Sequence, residues 1–519
     1  MNSSAAEQKL IAWTVAGSDS GGGAGLQADL RTFAAFNLHG CSVVAALTAQ
    51  NSVAVQRVEA VSLELFSAQL AALSADMPPA VIKTGMLGSA ANLYQLVRCI
   101  DQLREQRPGL PVVVDPVLRA STGADLGDES LLLAYRMALL PRASLITPNR
   151  REAAVLLGRA TLDTPAAVEE AAHALRLLGC RAVVITGGDE GGQHSQDYAV
   201  SEHARGWLSL PRVTTPNNHG TGCVFASSAA AALALGFVEI EAIILAKMST
   251  KHALRHGYAA GQGAGPVCPQ PGFAARHDNL PHFCPSAQDK KLSFPSLIQP
   301  HLGLYAVVDS AAWVQRVLLG GVRTVQLRIK DARHPGLRAE VRASIKAARA
   351  VNAQLFINDH WQIAIDEGAY GVHLGQEDLL VADLAAISRA GLRLGISTHA
   401  YWEVCRSWRL KPSYIACGPI HPTQAKAMPW IPQGNDNLAY WCQLLSLPVV
   451  AIGGMNEARA AQAIQAGAAG VAVISAITTA PSAEDAIEAL QRALVSAAAT
   501  LPVDAPLLPK STLHAPSHG

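Results

Sequence analysis

Between Gly303 and Ser475 the chain repeats one short theme eight times: an apolar run of five to eight residues with polar residues or glycine at or just after its end. The runs are GLYAVVD (303–309), VRTVQLRI (322–329), QLFIND (354–359), GVHLG (371–375), RLGIST (393–398), YIACGPI (414–420), PVVAIGG (448–454) and GVAVIS (470–475). A stretch that can be helical separates most pairs, and another follows the last. Strands buried on both faces read as near-continuous apolar runs. Eight strand–helix units in roughly 200 residues are the arithmetic of a (β/α)8 TIM barrel, whose sites lie at the C-terminal strand ends. Polar residues gather at those ends: Arg328, Lys330, Asn358, Asp359, Gln376, Asp378, Ser397, Thr423 and Lys426, with Gly453 and Gly454. A barrel domain is therefore expected over 301–498.

The first half follows a different rhythm. AWTVAGSD (12–19), AVIKTGM (80–86), PVVVDPV (111–117), SLITPN (144–149) and AVVITGG (182–188) are strand candidates separated by helical stretches such as NLYQLVRCIDQLREQ. This pattern predicts a parallel sheet covered on both faces, an α/β domain over 11–258. HSQDYAVS and RGWLSL predict a hairpin that leads to NHGTGC. From 259 to 300 the periodicity dissolves into Gly- and Pro-rich sequence, which reads as a linker. Cys268, His282 and Cys284 fall there at a spacing that matches no zinc pattern. The tail, 499–519, reads as disordered.

The totals narrow the class. A chain of 519 residues calls for two or three domains, and a net charge of +1 without a basic tract gives no footprint for nucleic acid. Nine scattered cysteines without a C-x-x-C pair fit reduced thiols in the cytoplasm. The start lacks an apolar signal core. The longest apolar run, Cys223 to Val238, falls short of the about 20 residues of a membrane span, so it reads as a core helix.

NHGTGC (218–223) packs two glycines around a threonine and runs into an Ala-rich helix. Such a turn leaves N–H groups unpaired at the positive end of the helix dipole, a ready anion site. Cys223 at the helix start is expected to have a lowered thiol pKa. VAGSDSGGGAGLQADL (15–30) adds a second Gly-rich loop that lacks the Gly-Lys-Ser/Thr of a Walker motif. In order, AGSDSGGGAGLQADL, ALTAQNS, KTGMLGS, VVDPV, TPNRREA and HGTGC resemble the hydroxymethylpyrimidine and hydroxymethylpyrimidine-phosphate kinases of thiamine biosynthesis, which have the ribokinase-like α/β/α fold. The resemblance implies that Gln50 reads the aminopyrimidine edge and that Gly17 and Met86 line its pocket with Asp29 close by. It implies further that Gly220, Thr221 and Gly222 hold the transferring phosphoryl group and that Cys223 takes the hydroxyl proton. Asn149 and Glu152 would support Mg2+ and the phosphates of the co-substrate ATP. The family leads one to expect a lysine before the glycine pair of VVITGG, and here Thr186 stands in that place.

In the second half, Arg328 and Lys330 alternate along a strand end and point to one side, which suits a diphosphate. Asp359 and Asp378 at neighbouring strand ends suit magnesium, which prefers hard oxygen ligands plus substrate phosphates. QLRIKD, FINDH, GVHLGQEDL, GISTH, GPIHPTQAK, AIGGM and VISAI together resemble thiamine-phosphate synthase. That resemblance implies that Gln326, Leu327, Arg328, Ile329, Lys330, Asn358, Ser397 and Lys426 contact hydroxymethylpyrimidine diphosphate, and that Asp359 and Asp378 hold Mg2+. Thiazole phosphate would lie against Thr423, Gln424, Ala425, Gly454, Ile474 and Ser475. A threonine is the family's usual residue at the place of Ala425, and its lost hydroxyl contact costs about 0.5–1.5 kcal/mol.

The two resemblances imply one bifunctional enzyme of thiamine biosynthesis. Its first site would phosphorylate hydroxymethylpyrimidine twice, and its second would condense the diphosphate with thiazole phosphate. Its partners would be these small molecules alone, with no nucleic acid or membrane, and it would form a homo-oligomer through the kinase domain. The alternative is a pyridoxal-type vitamin kinase fused to a non-catalytic regulatory barrel. Gln50 and Cys223 argue against the first half of that alternative.

Overall fold

The computed structural model describes residues 8–118, 129–188, 190–287, 292–423, 429–498 and 504–514. They form two compact units, one within Met1–Asp289 with His514–Gly519 and the other within Lys290–Leu513.

The first unit is built on a ten-stranded sheet. Its strands are β1 (Ile11–Asp19), β2 (His39–Gln50), β3 (Val55–Ala60), β4 (Val81–Thr84), β5 (Val112–Val114), β6 (Leu145–Ile146), β7 (Ala182–Ile185), β8 (His194–Val200), β9 (Arg205–Pro211) and β10 (His282–Cys284). Their order is β10-β9-β8-β7-β6-β5-β4-β1-β2-β3. The centre is parallel, while β3 and β8 to β10 are antiparallel. The expected hairpin is β8–β9. Side chains alternate across a strand, and here the alternation separates two environments. Trp13, Val15, Ile82, Val112 and Val114 face one side, in a core shared with Phe66, Leu70, Leu93 and Leu96. Thr14 and Lys83 face the other, where both bond Asp29, which also accepts from Ser227.

The second unit is a closed barrel of eight parallel strands: β11 (Gly303–Val308), β12 (Thr324–Leu327), β13 (Gln354–Asn358), β14 (Gly371–Leu374), β15 (Arg393–Thr398), β16 (Tyr414–Cys417), β17 (Val449–Ile452) and β18 (Gly470–Val473). All eight coincide with the apolar runs. Tyr305, Val307, Phe356, Tyr414, Ala416, Val450 and Ala472 fill its interior. Among the described residues, no helix is long and apolar enough to cross a membrane. Among the described residues, which include all nine cysteines, there is no disulfide.

Two sequence expectations need correction. The segment 259–300 is not a plain linker. His219 N–H donates to the Gly265 carbonyl (3.0 Å), Val267 N–H donates to the His219 carbonyl (3.0 Å), and β10 extends the sheet beside β9. At its far end, Pro295 and Ser296 carbonyls accept hydrogen bonds from Ser413 and Arg393 of the barrel. Backbone groups that lack a helix or strand period still need partners, and these find them within the unit to which each belongs. The tail is likewise ordered where described. Asn437 exchanges two hydrogen bonds with the Lys510 backbone (3.0 and 2.8 Å), and Thr512 and Leu513 are buried.

Candidate active sites

In the first unit the two glycine-rich loops meet. Asp19, at the end of β1, accepts N–H groups from Gly21 (2.8 Å), Gly23 (3.0 Å) and Ala24 (2.9 Å), and pairs with His219 Nε2 at 3.0 Å. Burial raises the Asp19 pKa, but the His219 bond and the backbone donors outweigh it and leave the carboxyl below its ordinary value. Gly220 has φ +86°, and a Cβ there would lie 2.2 Å from the Gly23 carbonyl oxygen. Only glycine fits such a place. Gly220 is the N-cap of the helix Thr221–Ala234, and no side chain caps that helix. In the first turn, Thr221 N–H is directed to the Asn218 carbonyl (3.4 Å) and Val224 N–H to the Gly220 carbonyl (3.0 Å).

Gln50 ends β2 beside this junction. Its carboxamide lies 3.4 Å from His219 Nε2 and 3.4 Å from Thr48 Oγ1, and its backbone exchanges hydrogen bonds with Ser20 (2.7 and 2.8 Å). Gly17, at a register shift between β1 and β2, faces Met86, whose Cε lies 2.3 Å from where a Gly17 Cβ would stand. Gly17 and Met86 are therefore in contact. Asp29 is different: it is fully buried and bonded to Thr14 (2.6 Å), Lys83 (3.0 Å) and Ser227 (2.5 Å), so it offers no surface to a substrate. Its expected place at the pocket is corrected to one in the core.

Lys83 is the main residue that sequence reasoning missed. It is fully buried between Asp29 and Asp115, with Asp115 Oδ2 at 3.5 Å. Burial pulls its pKa down, yet Asp29 first, then Cys223 and Asp115, hold it above the ordinary value. Cys223 lies one turn before Ser227 on the helix that bonds Asp29. Its thiol is pushed up to about 12, mainly by burial, with Lys83 opposing and the two aspartates reinforcing. The expected lowering at a helix start is corrected: desolvation outweighs the dipole. Asn149 and Glu152 form a reciprocal capping box (both bonds 2.9 Å) at the start of the helix Arg150–Leu157, with Asn149 bridged to Thr186.

In the barrel, the described residues of the expected set lie near or beyond the C-terminal ends of their strands. Arg328 follows β12, and His360 Nε2 lies 2.8 Å from the Ile329 carbonyl oxygen. Buried Ile329 lies between partly buried Arg328 and exposed Lys330. Asp359 follows β13 with φ +60° and shares a hydrogen bond with Asp378. Burial first, then the Asp378 charge and that bond, raise the Asp359 pKa to about 6, while Arg328 and His360 oppose the rise. Asp359 and Asp378 are the residues that could hold a hard cation here. Asn358 and Gln326 are buried, with Gln326 Nε2 3.3 Å from the Tyr305 hydroxyl. Ser397 Oγ is 2.8 Å from His373 Nε2. Burial, then the Arg328 charge, lower the His373 pKa to about 3. Gly454 (φ +65°) packs beside Pro422, one residue before Thr423, and Ile474 is the N-cap of the short helix Ser475–Thr478. Gln424, Ala425 and Lys426 lie outside the described residues.

Residues 19–268 match the family model of phosphomethylpyrimidine kinase, and residues 304–477 that of thiamine monophosphate synthase. A probable thiamine biosynthetic bifunctional enzyme of Oryza sativa, described as chloroplastic, is 36% identical over 86% of this chain and 81% of its own length. The chain belongs to the bifunctional thiamine-biosynthetic enzymes. A thiamine-phosphate synthase of Escherichia coli is 56% identical over 31% of this chain and 76% of its own. An ADP complex of Bacillus subtilis pyridoxal kinase aligns over 50% of this chain and 97% of its own, with 32% identity and a TM-score of 0.46. The glycine junction around Cys223 falls within the residues matched by the kinase model, and the barrel mouth around Asp359 within those matched by the synthase model.

Proposed function

We propose that the kinase unit phosphorylates hydroxymethylpyrimidine and then its monophosphate with ATP, and that the barrel joins the resulting diphosphate to thiazole phosphate. The observation that carries this reading is the pairing of two sites of complementary chemistry. One is a backbone-lined anion hole with a thiol at its edge. The other is a carboxylate pair beside an arginine.

At the kinase site, Gln50 presents an amide donor and acceptor to the aminopyrimidine, against a wall of Gly17 and Met86. The hydroxyl proton passes to Cys223 Sγ as the hydroxyl oxygen bonds the γ-phosphorus, and ADP leaves. Gly220, Thr221 and Gly222 donate N–H groups to the transferring phosphoryl oxygens, where negative charge is spread in a loose transition state. Asn149 and Glu152, at the start of the helix Arg150–Leu157, would face the nucleotide phosphates.

At the synthase site, Asp359 and Asp378 would hold Mg2+, which when bound neutralises diphosphate charge. Arg328, Lys330 and Lys426 bind the same leaving group, while Gln326, Asn358 and Ser397 orient the pyrimidine. The methylene–oxygen bond breaks with its electron pair going to diphosphate. The electron-rich pyrimidine stabilises the cation until the thiazole nitrogen lone pair forms the new bond. Gly454, Ile474 and Ser475 sit at the last two strand ends, where this fold often binds phosphate, and support thiazole phosphate with Thr423.

The test is an end-point assay of the full chain with ATP, magnesium, hydroxymethylpyrimidine and thiazole phosphate. Thiamine phosphate is the expected product. Accumulation of the diphosphate without product would overturn the synthase half of the reading and favour a regulatory barrel. A preference for pyridoxal over the pyrimidine would overturn the kinase half.

A further inference from the structure

A line of hydrogen bonds crosses the barrel interior beneath the synthase site. Gln326 Nε2 on β12 donates to the Tyr305 hydroxyl of β11 at 3.3 Å. The Tyr305 and Tyr414 hydroxyls are 2.7 Å apart, the Tyr414 hydroxyl is 2.7 Å from His373 Nδ1, and His373 Nε2 is 2.8 Å from Ser397 Oγ. Tyr305, Gln326, His373 and Tyr414 are all at most 5% exposed. The line begins and ends on residues assigned above to the pyrimidine substrate. The three residues between them have no part in that reading.

The order of protons along the line follows from counting donors. A neutral imidazole has one N–H, and a tyrosine hydroxyl has one O–H. With Gln326 donating to Tyr305, the Tyr305 hydrogen is directed to Tyr414 and the Tyr414 hydrogen to His373 Nδ1. The imidazole must then carry its hydrogen on Nε2 and donate to Ser397 Oγ. The Ser397 hydrogen is thereby left over. Ser397 is braced independently, because Gln376 Nε2 donates to its backbone carbonyl at 2.8 Å.

We infer that Tyr305, Tyr414 and His373 are positioning residues that commit the Ser397 hydroxyl as a hydrogen-bond donor to the pyrimidine diphosphate. The ligand atom it meets must be an acceptor, either a ring nitrogen or a diphosphate oxygen. Without the line, the serine hydroxyl could turn its hydrogen to the imidazole and offer only lone pairs. This inference rests on the assignment of Ser397 to the substrate, and its test separates the two.

The experiment uses the full chain with the diphosphate supplied directly, so that the kinase reaction plays no part. Ser397→Ala, Tyr414→Phe and the double variant are compared for kcat and KM towards both substrates. Loss of one substrate hydrogen bond is expected to lower kcat/KM for the diphosphate by roughly three- to tenfold in each single variant. The double variant should be no worse than Ser397→Ala, and KM for thiazole phosphate should not move. A fully additive loss would overturn the relay, since a merely structural tyrosine acts independently of Ser397. If Ser397→Ala is silent, the substrate assignment itself fails and the inference falls with it. Nitrogen-15 NMR on the unsubstituted protein gives a second reading that survives misfolding of any relay variant. The histidine signal that vanishes in His373→Gln should report the Nε2–H tautomer, and the Nδ1–H tautomer would overturn the proposed order.

Discussion

The two sites are built by opposite means. At the barrel mouth, chemistry-bearing side chains stand one after another at the ends of consecutive strands, and Asp359 shares a hydrogen bond with Asp378 and feels the Arg328 charge. At the kinase site much of the work falls to backbone. Two glycine loops separated by nearly 200 residues interlock, held by Asp19 and His219 at 3.0 Å, and the charged groups lie beneath them as a buried Lys83, Asp29 and Asp115 cluster. A site made of side chains on a rigid frame can lose one contact and keep its shape. A site made of interlocked loops has fewer side chains to lose, and its shape depends on segments far away in the chain.

The largest expected effect tests that division at its chemical centre. Cys223→Ala removes the proposed base, which contributes typically 10²–10⁴-fold, so phosphorylation of hydroxymethylpyrimidine should fall by about that factor. Supplying the diphosphate should restore thiamine phosphate formation completely. A loss that the diphosphate does not rescue would mean that the substitution reaches the barrel, contrary to two separate units.

The second test addresses the barrel. Arg328→Ala should lower synthase kcat by about 10²–10³-fold, the range for removing a donor to developing negative charge, and leave kinase rates unchanged. A comparable loss in both activities would break the comparison.

These expectations follow unequally from sequence. The barrel was readable because a (β/α)8 frame turns chain order into position: a polar residue after an apolar run lands at the mouth. The kinase sheet was readable in its centre, but β2 and β3 were not among the strand candidates, and β3 is largely exposed. Lys83 went unnoticed because it sits inside an apolar strand, VIKT, whose four residues are all buried. A charge in such a run was itself the signal, since buried lysines need partners. Asp29 was misplaced because a glycine loop just before it suggests a pocket, while the helix Gly25–Ala35 turns it inward. The thiol shift of Cys223 depends on packing by β4 and β5, which no local motif records.

The third test uses that shift. Burial pushes the Cys223 thiol up to about 12, so at neutral pH the free enzyme holds it protonated. A base acts only when deprotonated. Kinase kcat/KM should therefore rise with pH, by about tenfold per unit from pH 7 to 9. The synthase reaction, with no general base, should not share that slope. A flat kinase profile over this range would remove Cys223 as the base and would make the two sites more alike than proposed.

The smallest effect probes the loops themselves. The segment first read as a linker reaches back to the substrate turn, where Gly263 N–H donates to Ser52 Oγ at 3.0 Å, two residues after Gln50. Ser52→Ala deletes that single neutral hydrogen bond, whose net contribution is about 0.5–1.5 kcal/mol. If the kinase site depends on distant segments for its shape, part of this loss should appear in function. KM for hydroxymethylpyrimidine should rise by roughly two- to tenfold, with kcat little changed because the anion hole is intact. Synthase KM values should stay constant. If instead only thermal stability falls while KM holds, then 259–268 merely covers the kinase unit, and the shape of its pocket is set by the two glycine loops and Asp19 alone.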